Sequence, residues 1–193
     1  ESGSVKMLGK EVINKTPKET FESGISSIPA DRQKHGLILE FSNEDNLILQ
    51  HFEEEPYSSH GILNRKAIKE HAEELIEKFD VRPRGCAESP AGTLSGGNQQ
   101  KVILAKWMLA KPEVLILDEP TRGVDVGAKY EIYQIMNELV SKGVAIIMIS
   151  SELPEILGMS DRIYVMHEGT INGELTRENA TQEKILYCAS GER

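Results

Sequence analysis

Short apolar runs alternate with helical segments along the second half of the chain. These strand-like runs cover residues 114–117, 144–149 and 162–166, the last of which begins with Arg162, and the main helical segments cover residues 95–110 and 126–142. Continuous apolar runs of this kind predict strands buried on both faces, and helices between successive strands predict crossover connections. The sequence therefore predicts an α/β fold that contains a parallel sheet with crossover helices.

The middle of the chain has a different character. Residues 51–63 are polar and predict a loop outside the core. A helix then starts at Asn64, and one of its faces carries the apolar side chains Ile68, Ala72, Leu75, Ile76 and Phe79. We interpret residues 51–93 as an inserted helical subdomain, residues 1–50 as the sheet-rich front part of a core, and residues 94–193 as the rest of that core.

Charge and hydropathy exclude several classes of function. The chain has 193 residues, 22 Lys plus Arg, 31 Asp plus Glu and a formal net charge of −9. An acidic chain is unsuited to neutralising nucleic-acid phosphates, so no nucleic-acid partner is expected. The longest strictly apolar run, residues 144–149, is far too short to cross a bilayer, so no direct membrane insertion is expected. The first residue is Glu1 and not Met, which predicts a piece of a longer chain.

The first chemical motif is a pair of carboxylates, Asp118 and Glu119, directly after the apolar run 114–117. Ligands of α/β sheets bind at the carboxyl ends of the strands. The pair suits hydrolysis of a Mg²⁺-nucleotide, in which one carboxylate holds the metal and the next orients or deprotonates the attacking water. An acidic turn that only caps a strand explains the pair about equally well.

The second motif opens the helix that follows Leu94. Ser95, Gly96 and Gly97 provide a hydroxyl and two residues without side chains at a helix N-terminus. Free backbone N–H groups and the helix dipole favour an anion there, and glycine allows a phosphate to approach closely. The alternative is an ordinary serine cap. A nucleophile elbow does not fit, because Gly92 lies three residues before Ser95 and the elbow requires two.

Together the two motifs resemble the nucleotide-binding cassettes of ABC transporters, in which Leu-Ser-Gly-Gly precedes an apolar strand that ends in Asp-Glu-Pro-Thr. Residues 120–129 and 150–155 further resemble the second cassette of the two-cassette ATPase subunit of ribose-type monosaccharide importers. The resemblance covers essentially the whole chain. It implies an ABC-type ATPase core, ATP and Mg²⁺ as cofactors, and ATP hydrolysis coupled to sugar uptake at the cytoplasmic face of the cell membrane.

The resemblance also implies a role for each motif. The signature residues would contact ATP held by the opposite cassette, and they are Leu94, Ser95, Gly96, Gly97, Asn98 and Gln99. Asp118 would be the Walker B carboxylate near Mg²⁺, acting through water, and Glu119 would be the catalytic base. The D-loop, which crosses the dimer interface, would consist of Gly123, Val124 and Asp125. Residues 29–32 fall in the Q-loop region, which couples the nucleotide site to the permease.

Three departures from the family pattern qualify these roles. No Gly-x-x-x-x-Gly-Lys-Ser/Thr stretch occurs in the chain, so it resembles a cassette that starts after the phosphate loop, and in isolation we expect it to be inactive. Ser151 stands at the switch position in place of histidine and cannot carry a proton charge near neutral pH. Ala30 stands where related second cassettes have glutamate.

The implied partners are the other cassette of the same subunit, the membrane permease subunits and, indirectly, a substrate-binding protein. Two alternatives remain open within the family. Residues 56–81 look more like importers of purine nucleosides, and the missing phosphate loop with Ser151 also fits a degenerate regulatory cassette. A DNA-repair or chromosome-structural ATPase is a poorer match, because the chain has no sustained heptad pattern and no basic patch.

Overall fold

The computed structural model describes residues 3–191, which divide into two compact units, one ending at Ile147 and the other beginning at Met148. The α-helices within the described residues are α1 (Pro17–Glu22), α2 (Asn43–Leu47), α3 (Arg65–Lys78), α4 (Gly96–Leu109), α5 (Val126–Ser141), α6 (Leu153–Met159) and α7 (Gln182–Ala189). The strands are β1 (Lys6–Met7), β2 (Lys10–Glu11), β3 (Ile25–Ile28), β4 (Ser58–Ser59), β5 (Ile62–Leu63), β6 (Val114–Asp118), β7 (Ala145–Ile149), β8 (Arg162–His167) and β9 (Thr170–Thr176).

The central sheet has the strand order β3-β6-β7. Strands β3 and β6 are parallel, with Ile25 opposite Val114 and Ile28 opposite Leu117, which confirms the predicted parallel sheet. The prediction that these strands are buried on both faces is wrong. Burial alternates along β3 and β6, because the described residues cover one face of the sheet more completely than the other.

Side-chain caps coded in the sequence fix where the helices begin. Thr16 and Glu19 form a reciprocal capping box at the start of α1. Ser95 accepts a hydrogen bond from the backbone N–H of Asn98 at the start of α4, and Asp125 accepts one from the N–H of Ala128 at the start of α5. The starts of α1, α4 and α5 therefore each coincide with a residue whose side chain satisfies a first-turn N–H group.

The middle region is helical, with short strands before it. The apolar face of α3 is buried as predicted. Residues 51–63 do not all lie outside the core, because Tyr57 is buried in a cluster with Ile48 and Ile68. The prediction of a purely polar loop is wrong at this residue, since a tyrosine ring can be buried while its hydroxyl keeps a polar partner, here His71. The subdomain boundaries at residues 50/51 and 93/94 stay a prediction.

The second unit is built on an antiparallel hairpin. Strands β8 and β9 pair from Arg162 opposite Thr176 to His167 opposite Thr170, as the turn at residues 168–169 predicts. Helix α7 contributes Ile185 to a buried cluster with Ile163 and Val165 of β8. Among residues 3–191, no helix combines the length and the hydrophobicity that crossing a membrane would demand.

Candidate functional site

An open groove of about 220 Å³ lies at the N-terminal ends of α4 and α5, within the first unit. Its lining residues are Arg82, Ser95, Gly97, Asn98, Lys101, Asp125, Gly127, Ala128 and Glu131. Three of the predicted signature residues and one predicted D-loop residue therefore share one surface. The first turn of α4, residues 95–98, is called the signature turn below.

The hydroxyl of Ser95 is oriented by its neighbours. Its Oγ accepts a hydrogen bond from the Asn98 side-chain amide at 2.9 Å and a longer one from the Asn98 backbone N–H at 3.4 Å. The Asn98 amide oxygen in turn accepts the backbone N–H of Arg82 at 2.7 Å. Because the Ser95 oxygen already accepts two N–H groups, its own proton is available to a ligand in the groove. The sequence pattern did not reveal this role of Asn98.

The two glycines of the signature turn are packed closely against neighbouring atoms. A Cβ atom on Gly97 would lie 2.5 Å from the Cβ of Ala128 in α5. A Cβ atom on Gly96 would lie 2.5 Å from Nη2 of Arg32 and 3.0 Å from the carbonyl oxygen of Gly123. The glycines therefore let α4 approach both α5 and the loop before it.

The other three predicted signature residues, Leu94, Gly96 and Gln99, do not line the groove. Leu94 is buried, and Gln99 is only 2% exposed. The side-chain amide of Gln99 donates to the carbonyl oxygens of Ala91 at 3.3 Å and Leu94 at 3.2 Å. These contacts hold the chain that leads into α4. The proposed ATP contacts of Leu94 and Gln99 stay predictions.

A buried lysine stabilises the floor of the groove. Lys101 is 3% exposed, and its ammonium group lies 2.6 Å from the Glu131 carboxylate of α5. It also donates to the carbonyl oxygen of Asp80 at 2.8 Å. Asp80 pairs with the Arg82 guanidinium, and that hydrogen-bonded pair lowers the pKa of the Asp80 carboxyl. The groove therefore combines two cationic side chains with the carboxylates that balance them.

The carboxylate pair lies where β6 ends. Asp118 is the last residue of β6 and is partly buried, and Glu119 follows with a φ of +49°. A positive φ is unusual for a residue with a long side chain and is stabilised here by a turn in which the Arg122 N–H donates to the Glu119 carbonyl at 3.1 Å. The chain then passes through Gly123, which also has a positive φ, into the cap of α5.

The end of β6 offers part of the donor set that magnesium requires. Within residues 3–191, no three His, Cys, Asp or Glu side chains come together as a metal-binding cluster. Magnesium is often bound by one or two carboxylates, with waters and nucleotide phosphates supplying the other oxygens. Asp118 fits that partial donor set, since it offers a carboxylate at the carboxyl end of a parallel strand.

The remaining predicted site residues lie outside the groove. Ser151 belongs to the second unit, follows β7 and is exposed. Ala30 is partly buried ahead of a π-helical turn, Arg32–Gly36, whose N-terminal cap is Asp31. Arg32 contacts the loop before α5, a contact that sequence reasoning missed. Burial lowers the pKa of the Arg32 guanidinium, but arginine stays protonated at neutral pH.

Comparison with known proteins identifies the class. A profile described as ABC transporter matches residues 1–122, and the chain belongs to this family. The resemblance drawn from the motifs is therefore confirmed. The chain is 50% identical over 191 residues to the ribose import ATP-binding protein RbsA of Oceanobacillus iheyensis. The match covers 99% of the chain and 38% of that relative. The chain is 49% identical to the xylose import ATP-binding protein XylG of Thermoanaerobacter pseudethanolicus, over 99% of the chain and 37% of that relative.

Solved structures show the same fold. The ADP conformation of an ATP-binding cassette of an ABC transporter superimposes with a TM-score of 0.74 at 26% identity, over 98% of this chain and 74% of the other. A nucleotide-free cassette gives a TM-score of 0.77 at 24% identity, over 100% and 74%. The predicted ABC-type α/β core is confirmed. The chain spans about 38% of the length of the curated relatives that it matches.

Proposed function

We propose that this chain is the second ATP-binding cassette, without its phosphate loop, of the ATPase subunit of an ABC importer. In that role the signature turn contacts ATP held by the other cassette, and Asp118 and Glu119 serve this chain's own nucleotide site. The observation that carries the proposal is the groove in which Ser95, Gly97 and Asn98 meet the start of α5.

The signature turn is suited to a terminal phosphate in three ways. The N–H groups of Gly96 and Gly97 in the first turn of α4 have no intrahelical acceptor, whereas that of Asn98 already donates to Ser95. The helix dipole adds a partial positive charge at the same place. The Ser95 hydroxyl, whose oxygen is occupied by Asn98, donates its proton to a phosphate oxygen. Donors held in place before the reaction stabilise the charge that develops in the transition state.

At this chain's own site, Asp118 would hold Mg²⁺ through water and Glu119 would act as the catalytic base. Bound magnesium would supply neutralisation of the phosphate charges. Ser151 at the switch position offers a hydrogen bond but no titratable proton near neutral pH. We therefore propose that the two nucleotide sites of the complete subunit are unequal, with the stronger site the one that the signature turn of this chain completes.

The proposed cargo is a monosaccharide such as ribose. This choice is supported by relatives named for ribose import and xylose import, which are 50% and 49% identical to the chain. The subunit would work at the cytoplasmic face of the cell membrane with membrane permease subunits, which receive cargo from a substrate-binding protein. No residue of this chain needs to touch the cargo for this role.

ATP turnover of the complete subunit, with each cassette disabled in turn, tests the proposal. We expect turnover in the intact subunit, and a larger loss when the other cassette cannot bind ATP than when this chain's Glu119 is replaced. No ATP turnover in the intact assembly would contradict the proposed function. In the assembled transporter, stimulation by a nucleoside-loaded binding protein and not by a ribose-loaded one would contradict the proposed cargo.

A further inference from the structure

We infer that Arg32 is a positioning residue that ties the π-helical turn, Arg32–Gly36, to the signature turn and to the D-loop backbone of the same cassette. The inference rests on the proposed function, because the position of the signature turn affects hydrolysis only if that turn contacts ATP. Arg32 precedes the signature turn by more than sixty residues, and its contacts in the folded chain carry the argument.

The guanidinium of Arg32 binds two successive backbone carbonyls. Nη1 donates to the carbonyl oxygen of Arg122 at 2.6 Å, and Nη2 donates to that of Gly123 at 3.3 Å. Both carbonyls belong to the loop between the carboxylate pair and the cap of α5. A planar fork of N–H donors suits two neighbouring acceptors, and hydrogen bonds from a charged group are stronger than neutral ones.

The same guanidinium packs against the signature turn. A Cβ atom on Gly96 would lie 2.5 Å from Nη2 of Arg32, so Gly96 and Arg32 occupy complementary space. The Nε atom of Arg32 is buried without a hydrogen-bond partner among the described residues. Burying that N–H has a free-energy cost, which the two carbonyl contacts offset. Arg32 thus fixes the distance between Gly96 and Gly123.

The other end of the π-helical turn is fastened to α4 as well. Lys106 of α4 donates to the carbonyl oxygen of Gly36 at 3.1 Å. A Cβ atom on Gly36 would lie 2.8 Å from Cδ1 of Ile103, so the turn and the helix are in close contact. The side-chain amide of Gln33 reaches the Gln99 side chain at 3.4 Å. Because these contacts are distributed along the π-helical turn, a displacement of residues 32–36 also displaces α4.

Lys34 offers a matched control for Arg32. It lies in the same turn and carries the same charge, but it is exposed, and its contact with Asp31 is made by the backbone N–H and not by the side chain. Replacing Lys34 by alanine removes a positive charge and leaves the contacts of Arg32 with Arg122, Gly123 and Gly96 intact. Replacing Arg32 by lysine keeps the charge but loses the fork that reaches two carbonyls.

Hydrogen exchange of the complete subunit tests the contacts of Arg32 without relying on ATP hydrolysis. In Arg32→Ala, we expect the amides of residue 119 and residues 121–125 to exchange about tenfold faster than in wild type, since a charged hydrogen-bond donor has been lost. In Lys34→Ala these amides should exchange at the wild-type rate. Equal exchange in Arg32→Ala and Lys34→Ala would overturn the inference whether or not the subunit hydrolyses ATP.

ATPase kinetics of the same variants test the link to the signature turn. We expect Arg32→Ala to lower kcat about tenfold while KM changes little, because the other cassette holds the nucleotide. Arg32→Lys should recover part of that loss. Gly96→Ala should lose less in the Arg32→Ala background than in wild type, because one of its two collisions has been removed. Strictly additive effects, or a kcat for Arg32→Ala equal to that of Lys34→Ala, would overturn the inference. Inactive wild-type protein would instead contradict the proposed function.

Discussion

The signature turn and the carboxylate pair are held in place by different means. Side chains that are distant in sequence or on another helix support the signature turn, including the Arg32 guanidinium beside Gly96 and the Ala128 methyl beside Gly97. The carboxylate pair lies at the end of β6, where Glu119 has a left-handed backbone conformation that a turn closes. The first region should therefore be sensitive to added volume, and the second to the chemistry of one side chain.

Among substitutions that introduce no charge, the largest effect is expected from Gly97→Ala in the complete subunit. The new methyl group would meet the Ala128 methyl at 2.5 Å, so α4 and α5 must separate. A displacement near 1 Å lowers turnover about 100-fold, and overpacking destabilises by about 1–3 kcal/mol. ATP turnover and chemical denaturation measure the two losses.

The second variant, Gly97→Ala with Ala128→Gly, isolates the steric cause. Removing the Ala128 methyl leaves room for the new one, and we expect at least half of the lost stability to return after allowing about 1 kcal/mol for glycine in a helix. Ala128→Gly alone is the control. No recovery in the double variant would mean that the close approach of the two helices is not what requires glycine at this position.

Asn98→Ala should have a smaller effect. It removes the side-chain donor that orients Ser95 and the acceptor of the Arg82 N–H. We expect kcat to fall about tenfold, which corresponds to one well-placed hydrogen bond. Steady-state ATPase measurements check this, and Asn64→Ala, which removes a cap of α3 remote from the groove in sequence, is the control. Equal kcat in the two variants would contradict the role of Asn98.

Lys106 lies two turns along α4 from the signature turn. Because its ammonium group is buried, we expect the free energy of unfolding to depend on pH. Burial lowers the pKa of its ammonium group to about 8 from the usual 10.5. Between these values the unfolded chain binds more protons than the folded chain, so this group lets stability rise with pH. We expect a gain of about 1 kcal/mol in unfolding free energy from pH 7 to pH 9. Urea titrations at several pH values should show that the unfolding free energy of wild type rises with pH by about this amount more than that of Lys106→Met. The same pH dependence in the two proteins would contradict the prediction.

The smallest expected effect is that of ATP on this 193-residue chain by itself. The phosphate-loop pattern does not occur in it, and a single metal-binding carboxylate replaces few of the N–H contacts that such a loop supplies. We predict little stabilisation by ATP and weak or undetectable binding in titration calorimetry. Micromolar or tighter affinity for the chain alone would contradict this prediction.

Features that depend on neighbouring residues could be predicted from the sequence, whereas contacts between residues distant in sequence could not. The strand that ends at Asp118, the cap at Ser95 and the long helix after Asp125 follow from local patterns and were predicted. The burial of Tyr57 and the contacts of Arg32 depend on residues that only the fold brings together. A local pattern could not assign Asn98 to Ser95 either, because an asparagine in a first turn has several possible partners.

The most direct test of the comparison is ATP turnover of the complete subunit carrying Gly97→Asp or Glu119→Gln, measured side by side. Aspartate at residue 97 adds the collision with Ala128 and a negative charge where the phosphate would bind. Glutamine at residue 119 keeps the side-chain shape and affects the site for which Ser151 is the proposed switch residue. We predict a clearly larger loss of turnover for Gly97→Asp. An equal loss, or a larger one for Glu119→Gln, would contradict the proposal that the signature turn serves the stronger site.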